Sequence, residues 1–198
     1  MTAPRTPTLD RRKVMSTVLG AAGDTLIVTG LGSTTYDAGL SDRPETFYFW
    51  GAMGAAAMAG LGLALAQPDR RVLVLTGDGE ALMGLGAFAT IGAERPKNLA
   101  FAVIDNEHYS ETGMQPTHTG RGVSLTGIAT ACSFAQAQTI YSEDDLAAAL
   151  PSMFGGEGPL FFDIKVNTQR YPMSIRLRDG ATIKDRFRHH LLGARAFD

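Results

Sequence analysis

The sequence predicts an α/β fold, doubly wound, with a mostly parallel sheet and helices on both faces. Three observations carry that prediction. The apolar runs are short and lack polar alternation, as in strands buried on both sides. Segments of helical spacing separate them. Several of the runs end in Gly, Asp or Asn, at the strand ends where an open parallel sheet binds its ligands.

Taken in order, Leu9 to Ala22 has helical spacing with Val14, Val18 and Ala21 on one side. Thr25 to Thr29 is a buried strand that runs into Gly30 and Gly32. A Gly-, Ser- and Thr-rich loop leads to the aromatic cluster Phe47 to Trp50, which we assign to core or subunit packing. Gly54 to Ala66 is a helix of small residues. Arg71 to Thr76 is a second strand, followed at once by Gly77-Asp78-Gly79. A helical segment spans Glu80 to Glu94 and stops before Pro96. Leu99 to Ile104 is a third strand ending at Asp105-Asn106, and Glu107 to Gly122 reads as a loop. A helix (Leu125 to Cys132), a strand (Gln136 to Ile140), a helix (Glu143 to Met153) and a strand (Leu160 to Val166) follow. A final helix runs from about Ile183 to Leu192.

The 198 residues suit one domain, 1–198, with 1–8 a flexible start and 167–198 a C-terminal tail carrying the final helix. A net charge of −2 points to neither nucleic acid nor an anionic membrane. The longest apolar stretch, Gly51 to Ala66, is too short to span a bilayer, and no signal peptide is visible. One local bias exists: from Lys165 onward there are eight Lys or Arg against Asp179, Asp185 and Asp198, read as a solvated face or a subunit contact. Cys132 is the only cysteine, expected to be a small buried residue, and a cytoplasmic location fits.

The chemistry gathers at three strand ends: Gly32-Ser33, Gly77-Asp78-Gly79 and Asn106. Glycine on either side of Asp78 permits a tight turn and close approach of a ligand. Free N–H groups at the following helix start favour phosphate. A carboxylate beside phosphate calls for a cation between them, and hard oxygen ligands fit Mg²⁺. Asp78 and Asn106 lie 28 positions apart, one turn–helix–strand unit, so both reach one crevice.

This spacing resembles the cofactor motif of thiamine diphosphate enzymes, and thus implies their diphosphate-binding module. By that resemblance Asp78, Asn106 and the main-chain carbonyl of His108 would hold Mg²⁺. Gly32, Ser33, Gly77, Gly79, Glu80, Ala81 and Tyr109 would line the cofactor. Gly51-Ala52-Met53-Gly54 looks like the segment that holds the cofactor's pyrimidine. Met53 would bend the cofactor, and the Gly51 carbonyl would accept a hydrogen bond from the amino group. A Met by itself is more often core filler; standing 25 residues before Asp78 and flanked by Gly54, Met53 is assigned to the cofactor.

The chain also resembles the two-part sulfopyruvate decarboxylases and the related phosphonopyruvate decarboxylases. Asp42-Arg43-Pro44, Leu82-Met83, Asn98-Leu99, Thr112-Gly113, Gln115 and Thr117 share that pattern, as does Ile183 to Phe187. Two positions depart from it. Glu80 stands where a small hydroxyl residue is common, so it is expected to turn from the diphosphate toward a helix N-terminus. Met114 stands where Gly is usual.

The resemblance implies decarboxylation of a small anionic 2-oxo acid to an aldehyde and CO₂. Arg43, His118 and Arg121 are the candidates for the substrate's anionic tail. It also implies a partner, the pyrimidine-binding (alpha) subunit, which supplies the activating Glu, in an α2β2 or larger hetero-oligomer. A pyrimidine-binding domain takes about 150 residues, for which this chain has no room. The alternatives are a carboligating half like that of acetohydroxyacid synthases, a split transketolase half, and a regulatory relative without turnover. Oxidative ferredoxin-linked relatives bring cysteine clusters, which one Cys does not supply.

Overall fold

The computed structural model describes residues 6–174 and 178–197. Its strands are β1 (Leu26–Thr29), β2 (Thr46–Tyr48), β3 (Val72–Gly77), β4 (Leu99–Asp105), β5 (His108–Tyr109), β6 (Gln115–Pro116), β7 (Gln136–Ile140) and β8 (Leu160–Lys165). Six of them form one sheet in the order β2-β1-β3-β4-β8-β7, while β5 and β6 pair separately. Every neighbouring pair in the large sheet is parallel. The helices are α1 (Arg11–Gly20), α2 (Ser33–Ala38), α3 (Ala56–Ala66), α4 (Asp78–Met83), α5 (Gly86–Glu94), α6 (Leu125–Ala131), α7 (Glu143–Gly155) and α8 (Gly180–Leu192).

Because strand side chains alternate, the sheet has two apolar layers. On one face α1 and α7 cover Ile27, Leu73, Leu75, Ala102, Phe162 and Ile164. On the other, α3, α5 and α6 cover Val28, Val74, Phe101, Val103 and Phe161. Phe88 packs edge-on against Phe101, Phe134 and Phe161, with centroids 5.2–5.6 Å apart. This double burial is why the central strands read as unbroken apolar runs. The final helix, α8, sends Ile183 into one layer and Phe187 into the other.

Side chains cap four of the helices, two of which start away from the expected residues, α1 at Arg11 and α8 at Gly180. Asp10, Ser124, Ser142 and Asp179 each accept the main-chain N–H three residues on, from Lys13, Gly127, Asp145 and Thr182. Several expectations need correction. The segment Glu80 to Glu94 is two helices, broken where Gly84 packs backbone to backbone on Gly54. Residues 33–38, read as loop, are helical. β2 is an additional edge strand within the aromatic cluster, too short at three residues to show a period. On α1, Val14 and Val18 are buried, but Met15 and Leu19 complete the face and Ala21 is exposed. Cys132 is half-buried.

Of the expected flexible start, residues 1–5 lie outside the described residues. Thr8 and Leu9 are held: Asn167 donates from its main chain to the Leu9 carbonyl at 2.8 Å and from its side chain to that of Thr8 at 3.3 Å. Phe47 packs against Phe49 and Phe187, so the aromatic cluster serves the core. Among the described residues, no helix is long and apolar enough to cross a membrane.

Candidate cofactor site

Strand order reverses direction between β1 and β3, since β2 lies on the far side of β1. In such sheets the crevice beyond that reversal is the natural ligand site. A cavity of about 270 Å³ occupies it here. Leu31 to Thr34 wall it from the end of β1, Gly77 to Glu80 from the end of β3, and Asn106, His108 and Tyr109 from beyond β4.

Met53 closes another side, on a loop whose shape requires glycine. Ala52 and Gly54 both have positive φ, 54° and 91°. A Cβ on Gly84 would lie 2.4 Å from the Gly54 carbonyl oxygen, so only hydrogen at 84 lets the loop seat on the end of α4. A Cβ on Gly79 would lie 2.5 Å from the Tyr109 ring and 3.5 Å from the Met53 methyl. Gly84→Ala is therefore expected to lower stability by about 1–3 kcal/mol and displace Met53. Urea denaturation checks this, and an unchanged midpoint would show that the contact is not needed.

The cavity floor is acidic and buried. Asp78, 2% exposed, accepts from Thr117 Oγ1 at 2.5 Å. Thr119 Oγ1 sits 2.9 Å from the Thr117 hydroxyl and donates to Asp105 Oδ1 at 2.9 Å. Lys165 answers the carboxylates on the far side: its Nζ is 2.6 Å from Asp105, 3.1 Å from Glu107 and 3.9 Å from Asp163. Register explains the grouping, because Asp105 of β4 lies beside Lys165 of β8, with Asp163 two residues earlier. Burial, reinforced by Asp105, pushes Asp78 up to about 7. Burial and Asp105 likewise hold Asp163 well above the carboxylate range. Burial alone would lower the Lys165 ammonium, but Asp163 and Asp105 outweigh it and hold it above its ordinary value. Asp78 is a carboxylate short of positive charge, facing a cavity. A divalent cation fits that deficit.

Residues 32–164 match the thiamine pyrophosphate enzyme C-terminal TPP binding domain. The chain belongs to this family. It is 34% identical over 187 residues to the sulfopyruvate decarboxylase subunit beta of Methanothermobacter thermautotrophicus, covering 94% of this chain and 97% of that one. It is 42% identical over 127 residues to the phosphonopyruvate decarboxylase of Streptomyces viridochromogenes, covering 64% of this chain and 32% of that protein. The chain thus spans about one third of the Streptomyces relative's length. The thiamine diphosphate-dependent 4-hydroxybenzoylformate decarboxylase of Rhodococcus jostii shares the fold, with a TM-score of 0.70 at 18% identity over 86% of this chain and 35% of that one.

Within this thiamine pyrophosphate family domain, most of the residues expected at the cofactor do line the cavity: Gly32, Ser33, Met53, Gly77, Asp78, Gly79, Glu80, Asn106, His108 and Tyr109. Ala81 is buried behind it, and Gly51 is exposed beside the Met53 loop. Asn106 is fixed by two bonds: its Oδ1 accepts the His108 N–H at 3.0 Å, and its Nδ2 donates to Ser110 at 2.8 Å. The carboxamide oxygen keeps a second lone pair. Among the described residues, no group of three His, Cys, Asp or Glu side chains is set for a metal. A cation here would be held by one carboxylate and neutral oxygens.

Glu80 lines the cavity, and its carboxylate also reaches the start of α3. Its carboxylate accepts from Thr76 at 2.7 Å and from the Ala56 N–H at 3.4 Å, at the start of α3, and the amides of Leu31 and Gly54 also favour its charge. Burial nevertheless raises it above the usual carboxylate range. Glu80 thereby ties the loop after β1 to the Met53 loop. Met114 has a φ of 63°, a left-handed geometry that accounts for glycine being usual there and costs a Met about 1–2 kcal/mol.

The substrate candidates do not line this cavity. Arg43 donates to the carbonyls of Leu19 and Gly23 and pairs with Glu45 at 3.5 Å, at the amino ends of β1 and β2 and so opposite the cavity. His118 and Arg121 are exposed beyond the hairpin, although Thr117 and Thr119 beside them are buried. Sequence reasoning also missed the roles of Thr119, Asp163 and Lys165. Lys165 was grouped with the basic tail; a charge alternating with Asp163 inside an apolar strand was the signal that it is buried.

Proposed function

We propose that this chain is the diphosphate- and Mg²⁺-binding subunit of a two-part, thiamine diphosphate-dependent decarboxylase of a small anionic 2-oxo acid, of sulfopyruvate or phosphonopyruvate type. The observation that carries this reading is Asp78, a buried carboxylate with no ion-pair partner among the described residues, at the floor of a strand-end cavity, with Asn106 on the next strand end. In this reading Asp78, the Asn106 carboxamide oxygen and the His108 carbonyl hold Mg²⁺. Main-chain N–H groups near Ser33 and Gly79 take the diphosphate. Met53 and the Gly51 carbonyl set the cofactor's bent shape, and Tyr109 covers Gly79. Bound thiamine diphosphate would supply the electron sink for loss of CO₂. The chain's own part is to bind, orient and keep water away.

A pyrimidine-binding partner is supported by α3. From Ala56 to Ala66 it carries no polar side chain, yet Met58 and Leu65 are 44% and 52% exposed. A helix apolar all round is normally covered on both sides. Met83, which lines the cavity, is 66% exposed as well. The Methanothermobacter relative, matched along nearly its whole length, is named as a subunit.

The test is CO₂ release from sulfopyruvate, phosphonopyruvate and pyruvate, with Mg²⁺ and thiamine diphosphate, by the chain alone and with the co-expressed partner. Release only from the assembled pair, with an aldehyde as product, is expected. An acyloin-type product would move the assignment to carboligation, as in the acetolactate synthases of Nicotiana tabacum, which are 27% identical over 68% of this chain and 22% of theirs. Cofactor binding without turnover on any acid would leave a regulatory role.

A further inference from the structure

Arg11 lies outside the matched domain and still lines the cofactor cavity. It sits in the first turn of α1 with its side chain 9% exposed, and its Nε donates to Asp37 Oδ2 at 2.6 Å. The other oxygen of Asp37 accepts from Arg12 Nε at 3.1 Å. One carboxylate therefore serves two guanidinium groups, with Asp10 a further carboxylate near Arg11. Arg12 spends a terminal nitrogen on the Pro172 carbonyl and stacks on Tyr171, 4.4 Å from the ring centre. Among the described residues, the terminal nitrogens of Arg11 meet no acceptor; its other contact is the Tyr171 face at 5.5 Å. These N–H groups are open to the cavity that Arg11 lines, so a ligand there could take them. Asp37 and Tyr171 hold the group in place.

The same residue stands at a seam. With Ser33, Ser110 and Glu111 it also lines an adjoining cleft of about 290 Å³ that contains Arg170. Glu111 is the carboxylate within reach of both spaces, and it accepts from the Tyr36 hydroxyl at 3.2 Å. The planar fork of an arginine matches an oxyanion better than an ammonium does.

We propose that Arg11 is a binding residue for a phosphate, phosphonate or sulfonate group at this seam. The proposal takes its location from the cofactor reading above and adds a residue to it. Two anions could supply the group: the terminal phosphate of thiamine diphosphate, or the tail of the 2-oxo acid. Sequence reasoning had placed tail recognition on Arg43, His118 and Arg121, none of which lines either space.

The experiment compares Arg11→Gln, Arg11→Lys and Arg12→Gln with the parent, each as the full chain with its proposed partner. Thiamine diphosphate, thiamine monophosphate and inorganic pyrophosphate are titrated calorimetrically with Mg²⁺, and KM is measured for sulfopyruvate, phosphonopyruvate and pyruvate. If Arg11 reads the cofactor, Arg11→Gln weakens thiamine diphosphate and pyrophosphate by about 10- to 100-fold but not the monophosphate, with partial rescue in Arg11→Lys. If it reads the substrate, cofactor affinity holds and KM rises by a similar factor for the two tailed acids but not for pyruvate. Arg12→Gln, which shares Asp37 but does not line the cavity, should change neither. No change in Arg11→Gln, or an equal change for every ligand, overturns the proposal. Should the parent bind no thiamine diphosphate, the cofactor reading fails, and pyrophosphate still decides Arg11: a tenfold loss supports it and no loss overturns it.

Discussion

Replacing Asp78 with Ala is expected to abolish Mg²⁺-dependent binding of thiamine diphosphate and leave the fold intact. The carboxylate is the single formal negative charge in the proposed ligand set, and the remaining ligands are neutral oxygens. Losing it removes most of the electrostatic attraction that draws a cation between protein and diphosphate. The isosteric Asp78→Asn separates binding from folding. Burial and Asp105 raise the folded carboxyl to about 7 from an ordinary value of 3.8, so its charged form opposes folding once the pH exceeds the unfolded value. With metal and cofactor absent, Asp78→Asn should then match the parent near pH 4 and be the more stable protein above pH 7. Calorimetric titration measures the first effect, and urea midpoints at the two pH values measure the second. Full affinity in Asp78→Ala would remove the metal assignment. A destabilised Asp78→Asn at high pH would mean that the Thr117 hydrogen bond outweighs the charge.

Lys165→Met carries the larger cost to folding. Its ammonium is the cation that the structure places against Asp105, Glu107 and Asp163, and its side chain is 7% exposed. Removing one partner from a buried ionic cluster leaves uncompensated carboxylates, at a cost of about 3–5 kcal/mol. That is a large share of the about 5–15 kcal/mol by which a domain is stable. The substitution is expected to lower the urea midpoint sharply. A second change, Asp105→Asn, should recover part of the loss, because the two share one interaction. Strict additivity of the two substitutions would show that Lys165 stabilises through packing rather than charge.

Much of this was legible in the residues. The central strands could be read because burial on both faces leaves unbroken apolar runs in β3, β4 and β8. Helical spacing placed the helices but not their first residues: α8 starts at Gly180, capped by Asp179, three residues before the expected Ile183. The spacing of Gly77-Asp78-Gly79 and Asn106, one turn–helix–strand unit, put both at one crevice, and the cofactor family came from the resemblance of that pattern to a known motif. Contacts distant in sequence were not legible. Nothing near Gly84 indicated that it would meet Gly54, which splits one expected helix into α4 and α5. Glu80 could be expected to turn away from phosphate, but not to join Thr76 to the amides of Leu31, Gly54 and Ala56. The substrate cations were misplaced for the same reason: Arg43 is near the aromatic cluster in sequence and at the opposite end of the sheet in space.

By itself, then, the sequence determined the α/β class, the strand-end motif and the cofactor it answers to, because each rests on residues within about one structural unit of each other. Tertiary structure alone decided the rest. Strand order put Lys165 beside Asp105, folding of the hairpin put Thr117 on Asp78, and packing of α1 against α2 brought Arg11 to the cavity wall. Such charges owe their environment to partners far along the chain, and burial in a low dielectric makes those partners dominant.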